Sequence, residues 1–367
     1  MKKIIISLIC IFLLSGCFNY NELNDYAIVE AITIDYDNQK YSISMLIANN
    51  SKDKEKANII FQAKGKNIYE ALKNIELIST HKLYLGHISV VIISESSAKK
   101  GLYDIITPFL TNNQINKDFY IILAKNTKAS KLLKTSTPIT DFPSQYITNN
   151  IKASNKSLGS IKAITFNELI KQLINSDNPT INGYTLENKY IKASTLGYFK
   201  EDKFINWATK DESTGINLIN NQVQELYLDL PCPNGNIIIN TNNAQSTLKI
   251  DKQGNTKIII NSEASIKELT CNINIKSEDN IKEIEKEANK AIKNYINKAI
   301  TLSKHKKIDL FGIQKLYYQN YPKQYKNIHN WNNYYVKLKI TSQVNIKIKD
   351  NGTLKQSIER ISHEKNY

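Results

Sequence analysis

GKNIYEALKNIELISTHKLYLGHISVVIIS, residues 65–94, places a helix directly before a strand. Asn67 stands three residues ahead of Glu70, the spacing at which a cap side chain and a glutamate satisfy the free N–H groups of a helix start. Ile68, Leu72, Ile75 and Ile78 then recur at helical spacing, so NIYEALKNIELIS predicts an amphipathic helix. HISVVIIS predicts a strand with a nearly continuous apolar core. Upstream, two alternating runs in YAIVEAITIDYDNQKYSISMLIAN flank Asp37-Asn38 and predict a β-hairpin, and ANIIFQAKGK adds a strand. Downstream, AKKGLYDIITPFL reads as a helix bent or broken at Pro108, FYIILA as a strand and KASKLLK as a short helix. This is α/β material, and the opening hairpin makes the sheet mixed rather than purely parallel.

Around Pro138 and Pro143 the pattern breaks into polar TNNIKASNKSLGS, which sets a first boundary. Ala163–Ile174 predicts a helix with Phe166, Leu169, Ile170 and Leu173 on its apolar face. Strands follow around KYIKASTLGYFKEDKFINWA, turning at Glu201-Asp202, and DESTGINLINNQ closes this smaller region. LPCPNG marks a second boundary. Beyond it NIIIN, STLKIDKQGNTKIIIN and TCNINIK read as antiparallel strands, with a turn at Gly254-Asn255. A long helix is predicted from Glu278 to Ser303, striped by Ile281, Ile284, Ala288, Ala291, Tyr295, Ala299 and Leu302. Its acidic start and basic end complement the helix dipole. YYVKLKITSQVNIKIK supplies a final strand pair. The expected class is α+β, or mixed α/β, in three domains whose mixed or antiparallel sheets pack against helices. Their bounds are residues 17–138, 139–230 and 231–367, after a signal at 1–16.

That signal is MKKIIISLICIFLLSGCFNY: Lys2 and Lys3, then an apolar run from Ile4 to Leu14. The run is well short of the ~20 residues that a helix needs to cross a bilayer. Small residues lead into Cys17, and Leu14-Ser15-Gly16-Cys17 resembles the lipobox of bacterial lipoproteins. The resemblance implies that the Cys17 thiol takes a diacylglyceryl group and that cleavage precedes it. The new amino terminus then takes a further acyl chain of the palmitate type. A thiolate is a strong nucleophile, and two or more chains anchor stably where one is marginal. The plainer alternative is an ordinary signal, or a short uncleaved anchor, with a chance cysteine.

The chain has 367 residues and a formal charge of +15. Nucleic acid is not the expected partner: the chain is exported, and Arg360 is its only arginine. The arginine fork is what reads phosphates and bases best. The lysines are dispersed, as on a solvated surface, with weak attraction to anionic membranes or wall polymers as the other reading. Cys10 leaves with the signal; Cys232 and Cys271 remain. Export permits a disulfide between them, and two separate buried thiols is the alternative.

Catalytic or metal chemistry has no local pattern. His81, His87, His305, His329 and His363 form no His-x-x-x-His pair and stand near no cysteine couple, so no metal or cofactor is expected. Gly65-Lys66-Asn67 lacks the rest of a phosphate loop, and Asp35-Tyr36-Asp37-Asn38 lacks the glycine and final glutamate of a calcium loop. Asp211-Glu212 is a carboxylate pair beside a predicted turn. No Gly-x-Ser-x-Gly elbow is present.

Across nearly its whole length the chain resembles the Ger(x)C family, the C subunits of spore germinant receptors. The likeness rests on Glu22-Leu23 and Ile34-Asp35 in CFNYNELNDYAIVEAITID. It continues through the helix, Lys-Leu, Gly-His strand and Ala-Lys-x-Gly start of GKNIYEALKNIELISTHKLYLGHISVVIISESSAKKGL. The hairpin and Thr-x-Gly-type turn of STLGYFKEDKFINWATKDESTGINLI follow, then Asp309, Phe311, Gly312, Pro322 and Trp331. Departures are Phe18-Asn19-Tyr20-Asn21 for Trp-Asp-Arg-Arg, Gln314 for a second glycine, and Asn and Thr for a basic patch before FYIILA. The resemblance implies three α/β domains outside the inner spore membrane, held there by lipid on Cys17. It implies work beside integral-membrane A and B subunits in nutrient sensing, in a non-enzymatic structural or signalling role. Phe311 and Trp331 are expected in core packing and Gly86 and Gly312 in backbone turns. Ligand-binding residues, and whether this subunit itself takes a small-molecule germinant, stay open. The runner-up is a solute-binding lipoprotein of an ABC-type transporter. The hairpins DYDNQK, FKEDKF, DKQGNT and KDNGT count against its βαβ repeats. A cell-wall hydrolase is a third reading, without a visible catalytic constellation.

Overall fold

The computed structural model describes residues 25–48, 58–135, 142–175, 177–271 and 273–350. β1 (Tyr26–Asp37) and β2 (Lys40–Ala48) form the expected hairpin, closing at Asp37↔Lys40. Asn38 and Gln39 both take positive φ, 49° and 60°, the mirror-image turn whose twist suits paired strands. β3 (Asn58–Gly65) adds antiparallel to β2. α1 (Ile68–Ile78) starts where the sequence places it: the Asn67 side chain accepts the Glu70 N–H at 2.8 Å. Glu70 in turn takes the Lys66 N–H at 2.6 Å, one residue outside the expected partner.

HISVVIIS is a strand only from Val90. β4 (Lys82–Tyr84) and a short 3-10 turn at Leu85–His87 precede β5 (Val90–Ser94). Both strands lie parallel to β1, β4 against its start and β5 against its middle. The helix expected over AKKGLYDIITPFL is two helices, α2 (Glu95–Lys100) and α3 (Leu102–Thr111). The break falls at Gly101, with φ at 133°, and not at Pro108, which sits inside α3. A Cβ on Gly101 would lie 2.4 Å from the Asp202 carboxylate, and the Leu102 N–H donates to the Asp202 carbonyl at 2.8 Å. The hairpin tip thus replaces a helical bond, and only glycine fits beneath it.

β6 (Tyr120–Ala124) extends the sheet parallel to β5, and α4 (Ala129–Leu133) follows. The polar stretch taken for a boundary is α5 (Pro143–Ser157), with Pro143 in its first turn. Its buried side holds only two aliphatics, Ile147 and Ile151, beside Ser144, Thr148 and Ser154. A hydrophobic count therefore misses it. α6 (Phe166–Ile174) opens on a capping box of Thr165 and Glu168 and buries Phe166, Leu169 and Leu173.

β7 (Thr180–Glu187), which the sequence did not reveal, pairs parallel with β6 at Leu123↔Gly183. It carries β8 (Tyr190–Lys200) and β9 (Lys203–Trp207) into the same sheet. That sheet has nine strands, in the order β3-β2-β1-β5-β6-β7-β8-β9 with β4 against β1. The segments divided at residue 138 therefore share one sheet. Helices cover both faces. Ile32, Ile34, Val91 and Ile93 meet α1, α3 and α6 on one side, while Ala31, Val90 and Ile92 meet α4 and α5 on the other.

The chain leaves this sheet after Trp207, earlier than the step expected at residue 230. The segment read as a closing turn, containing Asp211-Glu212, is a helix, α7 (Lys210–Ile219), with a capping box of Thr209 and Glu212. LPCPNG is the tip of a hairpin rather than a linker. It joins β10 (Glu225–Cys232) to β11 (Gly235–Ile250), and β12 (Thr256–Leu269) follows antiparallel. β13 (Ile340–Asp350) completes a four-stranded sheet, but parallel to β12. A parallel neighbour needs a long crossover. Here that crossover is α8 (Glu278–Lys306), α9 (Ile313–Asn320), α10 (Pro322–Tyr325) and α11 (Trp331–Lys337). The YYVK half of the expected last strand pair therefore belongs to α11. α8 buries Ile284, Ala288, Ile292, Ile296 and Ala299, and it ends on Lys307 at φ 54°.

Cys232 and Cys271 are bonded to each other, with their Cα atoms 6.2 Å apart. Their separation of 39 residues makes this a long clamp on the unfolded chain, worth about 2–4 kcal/mol. The double variant Cys232→Ser/Cys271→Ser is expected to lose that much unfolding free energy and so to unfold at a lower denaturant midpoint. Equal midpoints for variant and oxidised protein would contradict the clamp.

Candidate functional site

Cys17, the one site residue expected from the sequence, lies outside the described residues, as does Glu22-Leu23. The other motif positions turn out to brace the fold. Asp35, at the end of β1, is buried and accepts the Ala129 and Ser130 N–H groups at 2.7 and 3.0 Å, capping α4. His87 Nε2 lies 3.8 Å from Glu30 Oε1, while Glu30 Oε2 accepts the Ser144 hydroxyl at 2.8 Å. Ser144 is fully buried, so this bond fastens α5 to β1 inside the core. Glu95 of α2 receives Lys99 at 2.7 Å and the Trp207 indole N–H at 3.0 Å. Burial opposes its charge, yet these donors win and hold the carboxyl below its ordinary range. Lys125 sits 5.1 Å over the Trp207 ring, and burial lowers its pKa. Trp207 thereby ties the far edge of the sheet to α2.

The chemically densest region lies where α6 and the start of β7 meet the Asp-Leu-Phe-Gly loop before α9. Asp309 is almost wholly buried, and its carboxylate accepts the Phe311 N–H at 3.1 Å and the Gln314 N–H at 2.7 Å. Burial raises its pKa against the pull of these bonds. Gly312 turns the loop at φ 68°, as expected, whereas Gly86 lies in the 3-10 turn before β5. Asn178 donates to the Asp309 carbonyl at 2.9 Å while its own oxygen accepts the Glu201 N–H at 2.9 Å. Asn220 donates to the Leu310 carbonyl at 3.0 Å. The Asn178 amide thus joins the first sheet to the Asp309 loop. Phe311 and Trp331 are buried, Trp331 within a cluster of Tyr317, Tyr325, Tyr334 and Tyr335 rings.

Beside this loop are two small cavities. One of about 290 Å³ touches Asn175, Asp177, Gln314 and Lys315; the other, of about 200 Å³, reaches Thr180, Gln222 and Lys162. Burial raises the Asp177 pKa, with Lys315 pulling the other way. Lys162 is 7% exposed. Burial lowers its pKa, with Glu168 acting in opposition. The folded chain therefore binds fewer protons than the unfolded one above the lowered value, so stability rises with pH towards the ordinary lysine range. Lys162→Met is expected to raise the thermal midpoint by a few degrees at neutral pH, with the gain shrinking as pH approaches ~10. A midpoint that falls at neutral pH would show instead that the ammonium is a required partner.

Among the described residues no three His, Cys, Asp or Glu side chains converge as a metal ligand set would. None of the described helices is long and apolar enough to cross a membrane.

A different kind of surface lies where the chain enters β1. Tyr26 and Lys82 are register partners at the starts of two parallel strands. The Tyr26 ring stands edge-on to Tyr84 at 6.0 Å, and the Lys82 ammonium is 5.7 Å from its centre. The last turn of α1 adjoins them through a three-residue link and leaves Leu77 83% and Ile78 52% exposed. Sequence reasoning missed this cluster because Ile78 counts towards an amphipathic stripe. Only the helix end shows it turned outward.

Comparison with known proteins places these features in a family context. The description "Spore germination protein N-terminal domain" matches residues 19–186, and "Spore germination B3/GerAC like, C-terminal" matches 194–352. Spore germination protein KC of Bacillus subtilis (strain 168) is 24% identical, covering 90% of this chain and 91% of that protein. Spore germination protein GerQC of Bacillus cereus is 23% identical over 96% and 99% of the two chains. The crystal structure of the GerBC protein superposes with a TM-score of 0.58 at 13% identity, covering 86% of this chain and 96% of that one. It shares the fold.

Proposed function

This chain belongs to the Ger(x)C family of spore germination proteins, and on that premise we propose that it is the lipid-anchored C subunit of a nutrient germinant receptor. Acylated Cys17 holds it on the outer face of the inner spore membrane, where it works with integral-membrane A and B subunits. Its role is structural or signalling, without catalysis of its own. The observation that carries this reading is an order: a lipobox ending at Cys17, then the two family domains in sequence from residue 19 to residue 352. The sheet architecture is consistent with a rigid module. Both faces of the central strands are covered, and the motif residues Asp35 and Asp309 cap backbone N–H groups within the fold. The relatives named above are germination proteins, which favours this role over solute delivery to a transporter.

The test is a clean deletion. Spores lacking the chain should lose the response to one class of nutrient while germinating normally with a receptor-independent trigger. An unchanged response to every nutrient tried would remove the receptor role.

A further inference from the structure

A tether restricts what a tethered body can touch. From Cys17 to Asp25 the chain takes eight residue-to-residue steps, and at ~3.3–3.6 Å each they span at most about 29 Å. The start of β1 is therefore held within that reach of the lipid. The surface at this position is the cluster already described. Tyr26 and Tyr84 supply amphipathic rings, and Leu77 and Ile78 are exposed aliphatics at a helix end. Lys82 keeps its ammonium beside the rings.

This combination is the one that membrane–water interfaces select. Tyrosines sit at headgroup depth, aliphatic tips reach below them, and a lysine snorkels to phosphate. The full chain's +15, less Lys2 and Lys3 of the signal, leaves the anchored protein strongly basic, which adds attraction to an anionic leaflet. We propose that the sheet end formed by the start of β1, β4 and the last turn of α1 rests directly on anionic phospholipid. Leu77, Ile78, Tyr26 and Tyr84 enter the interface there, and Lys82 lies against lipid phosphate. The proposal rests on the anchor reading of Cys17, since the acyl chains bring this end to the bilayer. The acyl chains supply the affinity; the contact fixes which way the protein stands. With that end down, the Asp309 loop and the four-stranded sheet are carried at an orientation set by the first sheet.

The experiment uses the full-length lipidated protein, with its disulfide intact, in vesicles of phosphatidylglycerol and phosphatidylethanolamine. Leu77→Cys, Tyr84→Cys and, as a control on the second sheet, Tyr227→Cys each carry an environment-sensitive fluorophore. Vesicle flotation is scored first. The expected result is flotation of all three, with blue-shifted emission and several-fold slower quenching by a water-soluble quencher at positions 77 and 84 only. Flotation with position 77 as open to the quencher as position 227 overturns the lipid contact and leaves the anchor standing. Position 77 shielded only when integral-membrane subunits are co-reconstituted assigns the face to a protein partner and equally overturns the proposal. A failure to float removes the anchor, and the proposal falls with it.

Discussion

Replacing Gly215 by valine is expected to leave little folded protein. α7 crosses α8 at this residue so closely that a Cβ would lie 2.1 Å from the Tyr295 carbonyl oxygen and 2.8 Å from the Ala299 Cβ. The obstacle is backbone, so no side-chain rotation relieves it. The helices would have to part, and each buries its contact side: Ile216, Leu218 and Ile219 on one, Ile292, Ile296 and Ala299 on the other. Overpacking in a core costs about 1–3 kcal/mol where neighbours can shift. Against two helix backbones we expect at least ~4 kcal/mol, a large part of the ~5–15 kcal/mol by which a domain is stable. Gly215→Ala should fall between valine and wild type. A denaturant midpoint for the alanine variant equal to that of wild type would mean that the helices do not cross here.

Asp309→Ala should produce the second largest loss. It strips the acceptor from the Phe311 and Gln314 N–H groups in a buried loop. Each unpaired buried donor costs ~1–3 kcal/mol. Relief from burying a carboxylate offsets part of this, so a net loss of about 2–4 kcal/mol is expected. Asp309→Asn keeps one acceptor and should lose roughly half as much. The pH dependence has a definite sign. Because burial raises the folded pKa above the unfolded value, this group's favourable contribution is fully present below the ordinary aspartate range. It is lost as pH rises through the raised folded value. The margin of wild type over Asp309→Asn should shrink across that window; a margin that widens would reverse the assigned shift.

Local chemistry made much of the first sheet legible. Asn67 with Glu70, the turn at Asp37-Asn38 and the apolar run into Ser94 each declare an element within a few residues. The helix α8 was equally plain, because its apolar spacing repeats over 29 residues, although the face it buries runs through Ile292 and Ile296, with Ile281, Ala291, Tyr295 and Leu302 only partly covered. Failures came where tertiary partners override local signals. Pro108 is tolerated near the end of α3, whereas Gly101 breaks the helix because a hairpin 101 residues downstream presses on it. α5 hides behind buried Ser144, Thr148 and Ser154, of which Ser144 bonds across to Glu30 and the other two to their own helix. β7 carries Asn182 and Gly183 in its interior, which reads as a loop until Asn182 is seen bonding both polar groups of the Lys162 backbone. Gly215 read as a turn because its reason, the Tyr295 carbonyl, lies 80 residues away.

The candidate site was less legible than the fold. Asp309 was identified by its neighbours Phe311 and Gly312, but its role as a buried acceptor depends on Gln314 and on the fit of Asn178. Lys162 carries no sequence signal at all; its burial follows from the strands and helix around it. The cysteine pair was open until the geometry closed it.

The most direct test of the central claim is germination of spores carrying Cys17→Ala, scored with nutrient and with a receptor-independent trigger alongside membrane fractionation. The account predicts that the protein leaves the membrane fraction and that only the nutrient response is lost. A normal nutrient response with the variant still bound to the membrane would contradict both the lipid attachment and the role built on it.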